Sequence, residues 1–306
     1  MKQRPSELAE VSEDLLAPWL KDRSFDDCYT EYDELGYITF ENVMPPQDVE
    51  DVRAALAPYL TKTGRNDFEG FKSNRVYSLL AKSPGVFSKM ATHPLALAFA
   101  ERELGRSCLL SSLLSVNLLP GETVQDWHTD DAQIEIPMPH PPYGVSTFWT
   151  IDAMTATNGA TEVIPKSHHW TEQELSGPNF IGAMDPRERD INHDPQPRPD
   201  AVKVILPAGS LMIAKGTLWH RGGSNKSDQS RLIVTPQYCP GWARQLENMM
   251  ATTPRDITAK LPKRTRELMG YSIHAAFMGY VDGVHPDKLL TLPGSPTCPV
   301  KVSTNS

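Results

Sequence analysis

The sequence has few cysteines, no long apolar run and no cluster of basic residues. Its four cysteines are dispersed over 306 residues without a CxxC pair, which argues against a disulfide framework. No run of about eighteen apolar residues occurs, and the polar N-terminus has no apolar core, so we expect neither a membrane span nor a signal peptide. A net charge of −8 disfavours nucleic acid or an anionic membrane as a partner. We therefore expect a soluble, cytoplasmic protein.

The hydrophobic pattern predicts one domain, residues 1–306, with three parts. Residues 1–105 are expected to be mainly helical support, because "PPQDVEDVRAALAPYL" and similar stretches place apolar residues at helical spacing. Residues 106–245 contain short, β-branched apolar stretches such as "GVSTFWTID" and "RLIVTPQYC", separated by turn residues. Residues 246–306 are expected to form a helical extension and a tail. The pattern predicts a mainly β sandwich or barrel with flanking helices.

One long stretch within the β region does not fit a strand or a helix. Residues 176–200, "SGPNFIGAMDPRERDINHDPQPRPD", are rich in Pro, Asp and Arg and have no hydrophobic period. A segment of this length in a compact domain is a lid, a binding loop or disordered. We interpret it as a candidate lid.

Elsewhere, the absence of GxGxxG and of strand–helix alternation argues against a nucleotide-binding sheet.

The stretch "WHTDD" (127–131) raises the possibility of a metal site. In extended backbone, residues i and i+2 point the same way, so His128 and Asp130 direct an imidazole and a carboxylate to one point. His220, in "KGTLWHRGG", supplies a second imidazole. Two His and one carboxylate on one face are the ligands of non-heme Fe(II) oxygenases. An isolated HxD is also common in ordinary charged loops, so the pattern needs support from elsewhere in the chain.

Arg231 provides that support. It follows His220 by eleven residues, at the start of an apolar strand. A turn between the two would return the chain along the neighbouring strand and place Arg231 deeper in the same cavity. Arg binds carboxylate bidentately and stays charged when buried, which suits the distal carboxylate of 2-oxoglutarate. The alternative interpretation is a solvated charge before a strand.

Four segments together resemble the phytanoyl-CoA dioxygenase family of Fe(II)/2-oxoglutarate-dependent oxygenases. They are "FKSNRVYSLLAKSP", "PGETVQDWHTDDA", "FWTIDAMTATNGATEVIPKSHHW" and "GTLWHRGGSNKSDQSRLIVTPQY", and the resemblance runs from about residue 30 to residue 250. It implies a double-stranded β-helix (a jelly-roll, cupin-like core) with flanking helices. It also implies that His128, Asp130 and His220 bind Fe(II), that Arg231 binds 2-oxoglutarate, and that O2 is consumed.

The resemblance extends to residues around the metal ligands. Gln125, Thr161 and Trp149 match positions that line the cosubstrate pocket, although strand packing explains them equally well. Three further residues are candidates for contacting the substrate: Arg75, Asn117 and Phe148. The carboxylate ligand is present, unlike in halogenating relatives, which favours hydroxylation or desaturation. Gln237 stands where the nucleic-acid repair branch has a second Arg, which argues against a nucleic-acid substrate.

The resemblance implies oxidation of an unactivated C–H bond. We expect a small, fairly hydrophobic substrate from secondary metabolism, because "IEIPMPHPPYGV" (134–145) brings apolar residues next to the ligands. Two alternatives stay open at this stage. One is an oxygenase for a polar, amino-acid-like substrate. The other is a jelly-roll binding protein that retains a metal without oxygenase activity. The sequence does not indicate an oligomeric state.

Overall fold

The computed structural model describes residues 13–64, 66, 68–177, 181–183 and 185–291. The chain begins with helices that alternate with two short strands. In chain order these are α1 (Glu13–Leu20), α2 (Phe25–Leu35), β1 (Tyr37–Phe40), α3 (Pro46–Leu56), β2 (Ser73–Val76), α4 (Leu79–Lys82), α5 (Pro84–Ala91) and α6 (Pro94–Leu104). The stretch "PPQDVEDVRAALAPYL" contains α3, and most of the described part of 1–105 is helical, as the sequence predicted. The strand β1 is an addition to the helical region that the sequence predicted.

Local sequence signals set the ends of these helices. The Ser24 side chain accepts from the Asp27 backbone N–H while the Asp27 carboxylate accepts from Ser24, which forms a capping box at the start of α2. Gly36 ends α2 at φ 85°, in the left-handed region that favours glycine. Proline occupies the first turn of α3, α5 and α6, where its missing N–H has no partner to lose.

Two antiparallel sheets form the centre of the molecule. The remaining strands are β3 (Leu109–Leu118), β4 (Val145–Thr150), β5 (Thr161–Val163), β6 (Val202–Lys203), β7 (Leu211–Lys215), β8 (His220–Gly222) and β9 (Arg231–Cys239). The larger sheet has the order β1-β7-β4-β9-β3-β2, and the smaller has the order β6-β5-β8. The non-sequential neighbours and the purely antiparallel pairing are those of a jelly roll.

The larger sheet is buried on both faces. Its outer face packs on the helices, where Trp149 and Val234 join a core with Phe99 of α6. Its inner face packs on the smaller sheet, where Phe148 and Ile233 join a second core with β5 and the loops beside it. Because β4 has both faces covered, all six of its residues are buried.

The remaining helices are short. One of them, α7 (Glu172–Leu175), lies between β5 and β6. Four follow β9: α8 (Met249–Thr252), α9 (Arg255–Thr258), α10 (Lys263–Met269) and α11 (Lys288–Thr291). The predicted tail after residue 291 and the first twelve residues lie outside the described residues. Within the described part of the chain, no helix combines the length and apolarity needed to cross a bilayer. Three cysteines there, Cys28, Cys108 and Cys239, are buried free thiols, and Cys298 lies outside that part.

Candidate active site

Two histidines and one aspartate meet between the two sheets. His128, in the loop after β3, forms an antiparallel bridge with His220 at the start of β8, with N–H···O distances of 3.0 and 2.9 Å. Asp130 Oδ1 lies 3.8 Å from His220 Nε2. One ligand atom from each of the three side chains lies within 4.8 Å of the other two. The structure therefore brings His128 and Asp130 together with His220 of the facing strand, as the sequence predicted.

Backbone carbonyls orient both imidazoles. His128 Nδ1 lies 2.8 Å from the Asp126 carbonyl oxygen, and His220 Nδ1 lies 3.0 Å from that of Leu218. A carbonyl oxygen only accepts, so each Nδ1 carries the proton and donates it. This tautomer leaves the Nε2 lone pair of each ring available to a metal, and the outer hydrogen bond fixes the plane of the ring.

Burial keeps the His128 imidazole neutral at pH 7. Burial lowers the pKa of His128 to about 4, and the charge of His220 acts in the same direction, while Asp130 and the hydrogen bond to Asp126 oppose it. Because a metal must displace the proton from an imidazole, a ring that is neutral at pH 7 is ready to bind.

Neighbouring side chains hold the aspartate and its loop. The Ser146 hydroxyl of β4 donates to Asp130 Oδ2. The next residue, Asp131, is buried and accepts from the backbone N–H of Tyr143 at 2.8 Å, while its own N–H donates to the Gly216 carbonyl at 3.0 Å. Burial raises the pKa of the Asp131 carboxyl to about 6. Asp131 therefore fastens the metal-binding loop to the start of β4 and the end of β7.

Arg231 lies at the start of β9 with 2% of its surface exposed. Its Nη2 donates to the Gly159 carbonyl, whereas Nε and Nη1 have no hydrogen-bond partner among the described residues. Burial lowers the pKa of Arg231 to about 10, and the nearby Arg75 lowers it as well, while Asp152 raises it. A guanidinium that stays charged at pH 7 with two unsatisfied buried nitrogens is suited to a carboxylate ligand.

A cavity of about 780 Å³ contains the three candidate ligands and Arg231. Its floor consists of β3 and β9, whose inward residues pair across the two strands. From the deep end these pairs are Leu118 with Arg231, Val116 with Ile233, Leu114 with Thr235, and Ser112 with Gln237. The floor thus runs from the Arg231 cation, past the apolar pair Val116–Ile233 and the mixed pair Leu114–Thr235, to a polar pair. In this last pair Ser112 Oγ donates to Gln237 Oε1 at 2.6 Å.

Four of the other predicted site residues line this cavity. Gln125 accepts from the Gly222 N–H at 3.2 Å, and Phe148 lies edge-on to His220 with ring centroids 5.6 Å apart. Thr161 and Arg75 also face the cavity, and the charge of Arg75 lowers the pKa of both His128 and Arg231.

The structure corrects the predictions for Trp149 and Asn117. Trp149 lies on the helix-facing side of β4 and packs on His93, with ring centroids 4.9 Å apart. Asn117 alternates with the cavity-facing residues of β3 and therefore points to the opposite face. The apolar segment 134–145 also lies outside the cavity. Gln133 lines the cavity, and the next lining residue along the chain is Phe148. The apolar lining comes instead from the β3–β9 floor and from the rings of Phe68 and Phe148.

Several cavity residues were not identified from the sequence. Phe68, 52% exposed, lies edge-on to His128 with centroids 5.6 Å apart. Arg189 and Arg221 also line the cavity. Ser146 does not line the cavity but donates to Asp130, and the sequence analysis missed it as well. It had a usable signal, because it lies two residues before Phe148 and so shares its face of β4. Arg189 had no such sequence signal, since no local pattern indicates which part of a long loop packs against the cavity.

The fold and the site define a jelly-roll protein with a two-His, one-carboxylate centre. Solved structures share this fold. One is HygX from Streptomyces hygroscopicus, a structure with nickel and 2-oxoglutarate bound, at a TM-score of 0.55, 16% identity and coverage of 72% of this chain and 88% of that chain. Another is SnoK, described as a non-heme alpha ketoglutarate dependent carbocyclase from nogalamycin biosynthesis, at a TM-score of 0.54, 18% identity and coverage of 72% and 86%.

The family follows from the sequence match. Residues 32–233 match the phytanoyl-CoA dioxygenase (PhyH) family, and the chain belongs to it. Dioxygenase af480 of Aspergillus fumigatus is 30% identical over 194 residues, which are 63% of this chain and 56% of that relative. Dioxygenase swnH1 of Metarhizium robertsii is 26% identical over 279 residues, covering 82% and 84%. The predicted family, fold and enzyme class, an Fe(II)- and 2-oxoglutarate-dependent dioxygenase, are confirmed.

Proposed function

We propose that His128, Asp130 and His220 bind Fe(II), that Arg231 binds the distal carboxylate of 2-oxoglutarate, and that the enzyme hydroxylates or desaturates an unactivated C–H bond. The observation that carries this assignment is the shared cavity. Both Nε2 atoms and a carboxylate converge at one point, and a buried guanidinium with two unsatisfied nitrogens lies in the same space. The bound metal, with its cosubstrate and dioxygen, supplies the oxidation.

The residues of the chain position the reactants and limit access of water. Phe148 packs beside His220, and Phe68 covers the outer edge of His128. Gln125 is held by the Gly222 N–H and by the Phe68 carbonyl, to which its Nε2 donates at 3.2 Å. Arg75 adds a second cation facing the ligands, suited to an anionic group of the cosubstrate or the substrate.

The cavity supports a small, fairly hydrophobic substrate. Its volume lies within the roughly 300–1,000 Å³ of sites that enclose drug-sized ligands. The side chains of Val116, Ile233 and Leu114 give the floor an apolar stretch between the cation and the polar pair, with the Thr235 hydroxyl at one point of it. We propose that the substrate lies over this stretch, with a hydrogen-bonding group at Gln237, whose amide Ser112 holds. The biosynthetic setting of SnoK supports secondary metabolism as the source.

The first experiment tests cofactor binding. We expect anaerobic Fe(II) and 2-oxoglutarate to give a visible metal-to-ligand charge-transfer band with the wild type and none with His220→Ala. Arg231→Ala should require roughly 10- to 100-fold more 2-oxoglutarate, because a charged hydrogen-bonded pair is lost. Arg102→Ala, on the exposed surface of α6, is the control. A folded, iron-loaded wild type without the band contradicts the assignment.

A separate experiment addresses the substrate. A screen of apolar and amino-acid-like compounds for turnover distinguishes the two substrate classes.

A further inference from the structure

Arg221, the residue after the candidate ligand His220, lies in a buried ionic cluster. Only 1% of its surface is exposed. Its Nε and Nη2 each lie 2.8 Å from Glu162 Oε2, and its Nη1 and Nη2 donate to the two oxygens of Asp194. The guanidinium also lies over the indole of Trp127, 4.3 Å from the ring centroid. A planar fork with five donors suits this arrangement, and a lysine ammonium does not reproduce it.

The cluster joins the segment 185–200 to the barrel. Asp194 belongs to that segment, and two further contacts follow the same path. The Trp127 indole N–H donates to the Gln196 carbonyl at 3.1 Å, and Arg189 Nη2 lies 3.0 Å from Asp126 Oδ2. The segment is therefore attached by an ion pair at each end of the stretch 189–194 and by a hydrogen bond beyond it.

The points of attachment on the barrel are the sequence neighbours of the two histidines. Asp126 and Trp127 directly precede His128, and Arg221 directly follows His220. The Asp126 carbonyl is also the group that orients the His128 ring. A displacement of the segment would therefore act on the backbone that holds both imidazoles, through bonded neighbours rather than through distant contacts.

We propose that Arg221 is a positioning residue, which couples the docking of segment 185–200 to the geometry of the metal site. The inference rests on the proposed function, because it takes His128 and His220 as metal ligands. The segment itself contributes Arg189 to the cavity wall, so its docking also completes the site. Coupling is reciprocal: if docking strengthens metal binding, metal binding must stabilise docking by the same factor.

The test uses the full chain with Asp194→Asn and Arg221→Lys. Asp194→Asn keeps the side-chain shape and removes the charge that Arg221 binds, at a position whose side chain is 30% exposed. Asp200→Asn is the matched control, because it breaks an ion pair within the same segment, between Asp200 and Arg198. The readouts are the Kd for Fe(II) alone, by anaerobic equilibrium dialysis, and hydrogen exchange of the 185–200 amides with and without Fe(II).

We expect Asp194→Asn and Arg221→Lys to raise the Kd for Fe(II) by roughly 10-fold or more, as for other residues that orient ligands. Exchange in 185–200 should accelerate in both variants, and Fe(II) should slow it in the wild type and much less in the variants. Asp200→Asn should match the wild type. All comparisons use protein that is folded by circular dichroism.

Two results overturn the proposal. One is faster exchange in the variants with an Fe(II) Kd within twofold of the wild type, since the segment is then held by Arg221 without affecting the metal site. The other is unchanged exchange in the segment, since Arg221 then does not hold it. Failure of the proposed function is distinct, because the wild type itself then does not bind Fe(II).

Discussion

The Ser146 hydroxyl shows how single residues outside the ligand set shape this site. It donates to Asp130 Oδ2 from a position with 1% of its surface exposed. That bond leaves Oδ1 directed towards His220. Hydrogen bonds of this kind determine which oxygen a ligating carboxylate presents. Ser146 therefore orients the proposed ligand Asp130 without belonging to the ligand set itself.

We predict that Ser146→Ala weakens Fe(II) binding by roughly 10- to 100-fold, the usual cost of losing a residue that orients a ligand. Ser115→Ala is the control. Ser115 is also buried in the larger sheet, but its hydroxyl has no hydrogen-bond partner within the described part of the chain. Titration with Fe(II) measures the affinity of both variants. Equal affinities would show that the Ser146 hydroxyl does not orient Asp130.

At the scale of elements, the loop that carries Asp130 and Asp131 is held by close packing against glycines as well as by hydrogen bonds. The Asp131 carboxylate fills the space beside Gly216 and Gly144, and a Cβ at residue 216 would overlap its carboxyl group. Glycine is required at 216 for this close approach, since any side chain would displace the carboxylate. The loop between β3 and β4 is thereby held against the end of β7.

We predict that Gly216→Ala destabilises the fold by about 1–3 kcal/mol, the usual cost of overpacking, and also weakens Fe(II) binding. Gly85→Ala is the matched control. A Cβ at residue 85 meets nothing within 4 Å, and the residue lies in helix α5. Because Gly85 lies in the first turn of α5, the same change there should stabilise the protein by less than the roughly 1 kcal/mol of a helix interior. Urea denaturation measures both effects. A Gly216→Ala variant with the stability of the wild type would show that the close contact with the Asp131 carboxylate does not require glycine.

At the scale of the whole molecule, burial of histidine links stability to pH. Burial lowers the pKa of His93, His128 and His168 to about 4 each, from an ordinary value of 6.5. Between pH 6.5 and 4 the unfolded chain therefore binds protons that the folded protein does not, and folding loses stability as the pH falls. Burial raises the pKa of Asp131 to about 6 and also that of Glu101, which opposes the trend.

We predict that the free energy of unfolding of the metal-free protein falls between pH 7 and pH 5, with a net uptake of roughly one to two protons on unfolding. Urea denaturation at intermediate pH values measures this slope. His93→Phe keeps an aromatic ring against Trp149 and removes one titrating group, so its slope should be shallower by about one proton. An unchanged slope would show that His93 does not contribute.

The sequence predicted much of the fold and the centre of the site. The apolar stretches "GVSTFWTID" and "RLIVTPQYC" correspond to β4 and β9. The spacing of His128 and Asp130 encoded their convergence locally, because alternation along extended backbone needs no tertiary information. Strand β1 was missed, since four residues carry too little periodicity to be separated from the helices around them.

What the sequence by itself determined is the identity of the family and the residue types that meet at the metal site, since both depend on short motifs and their spacing. Only the tertiary structure decided which face of each strand meets the cavity. In a strand buried on both sides, such as β4, both faces carry an aromatic ring beside hydroxyl side chains, and the pattern does not distinguish Phe148 from Trp149. The same holds for the contacts of Arg221 with Asp194, because the two residues are 27 positions apart, with strands β6 and β7 between them. Those contacts exist only once both sheets are packed and burial of the charges makes pairing obligatory.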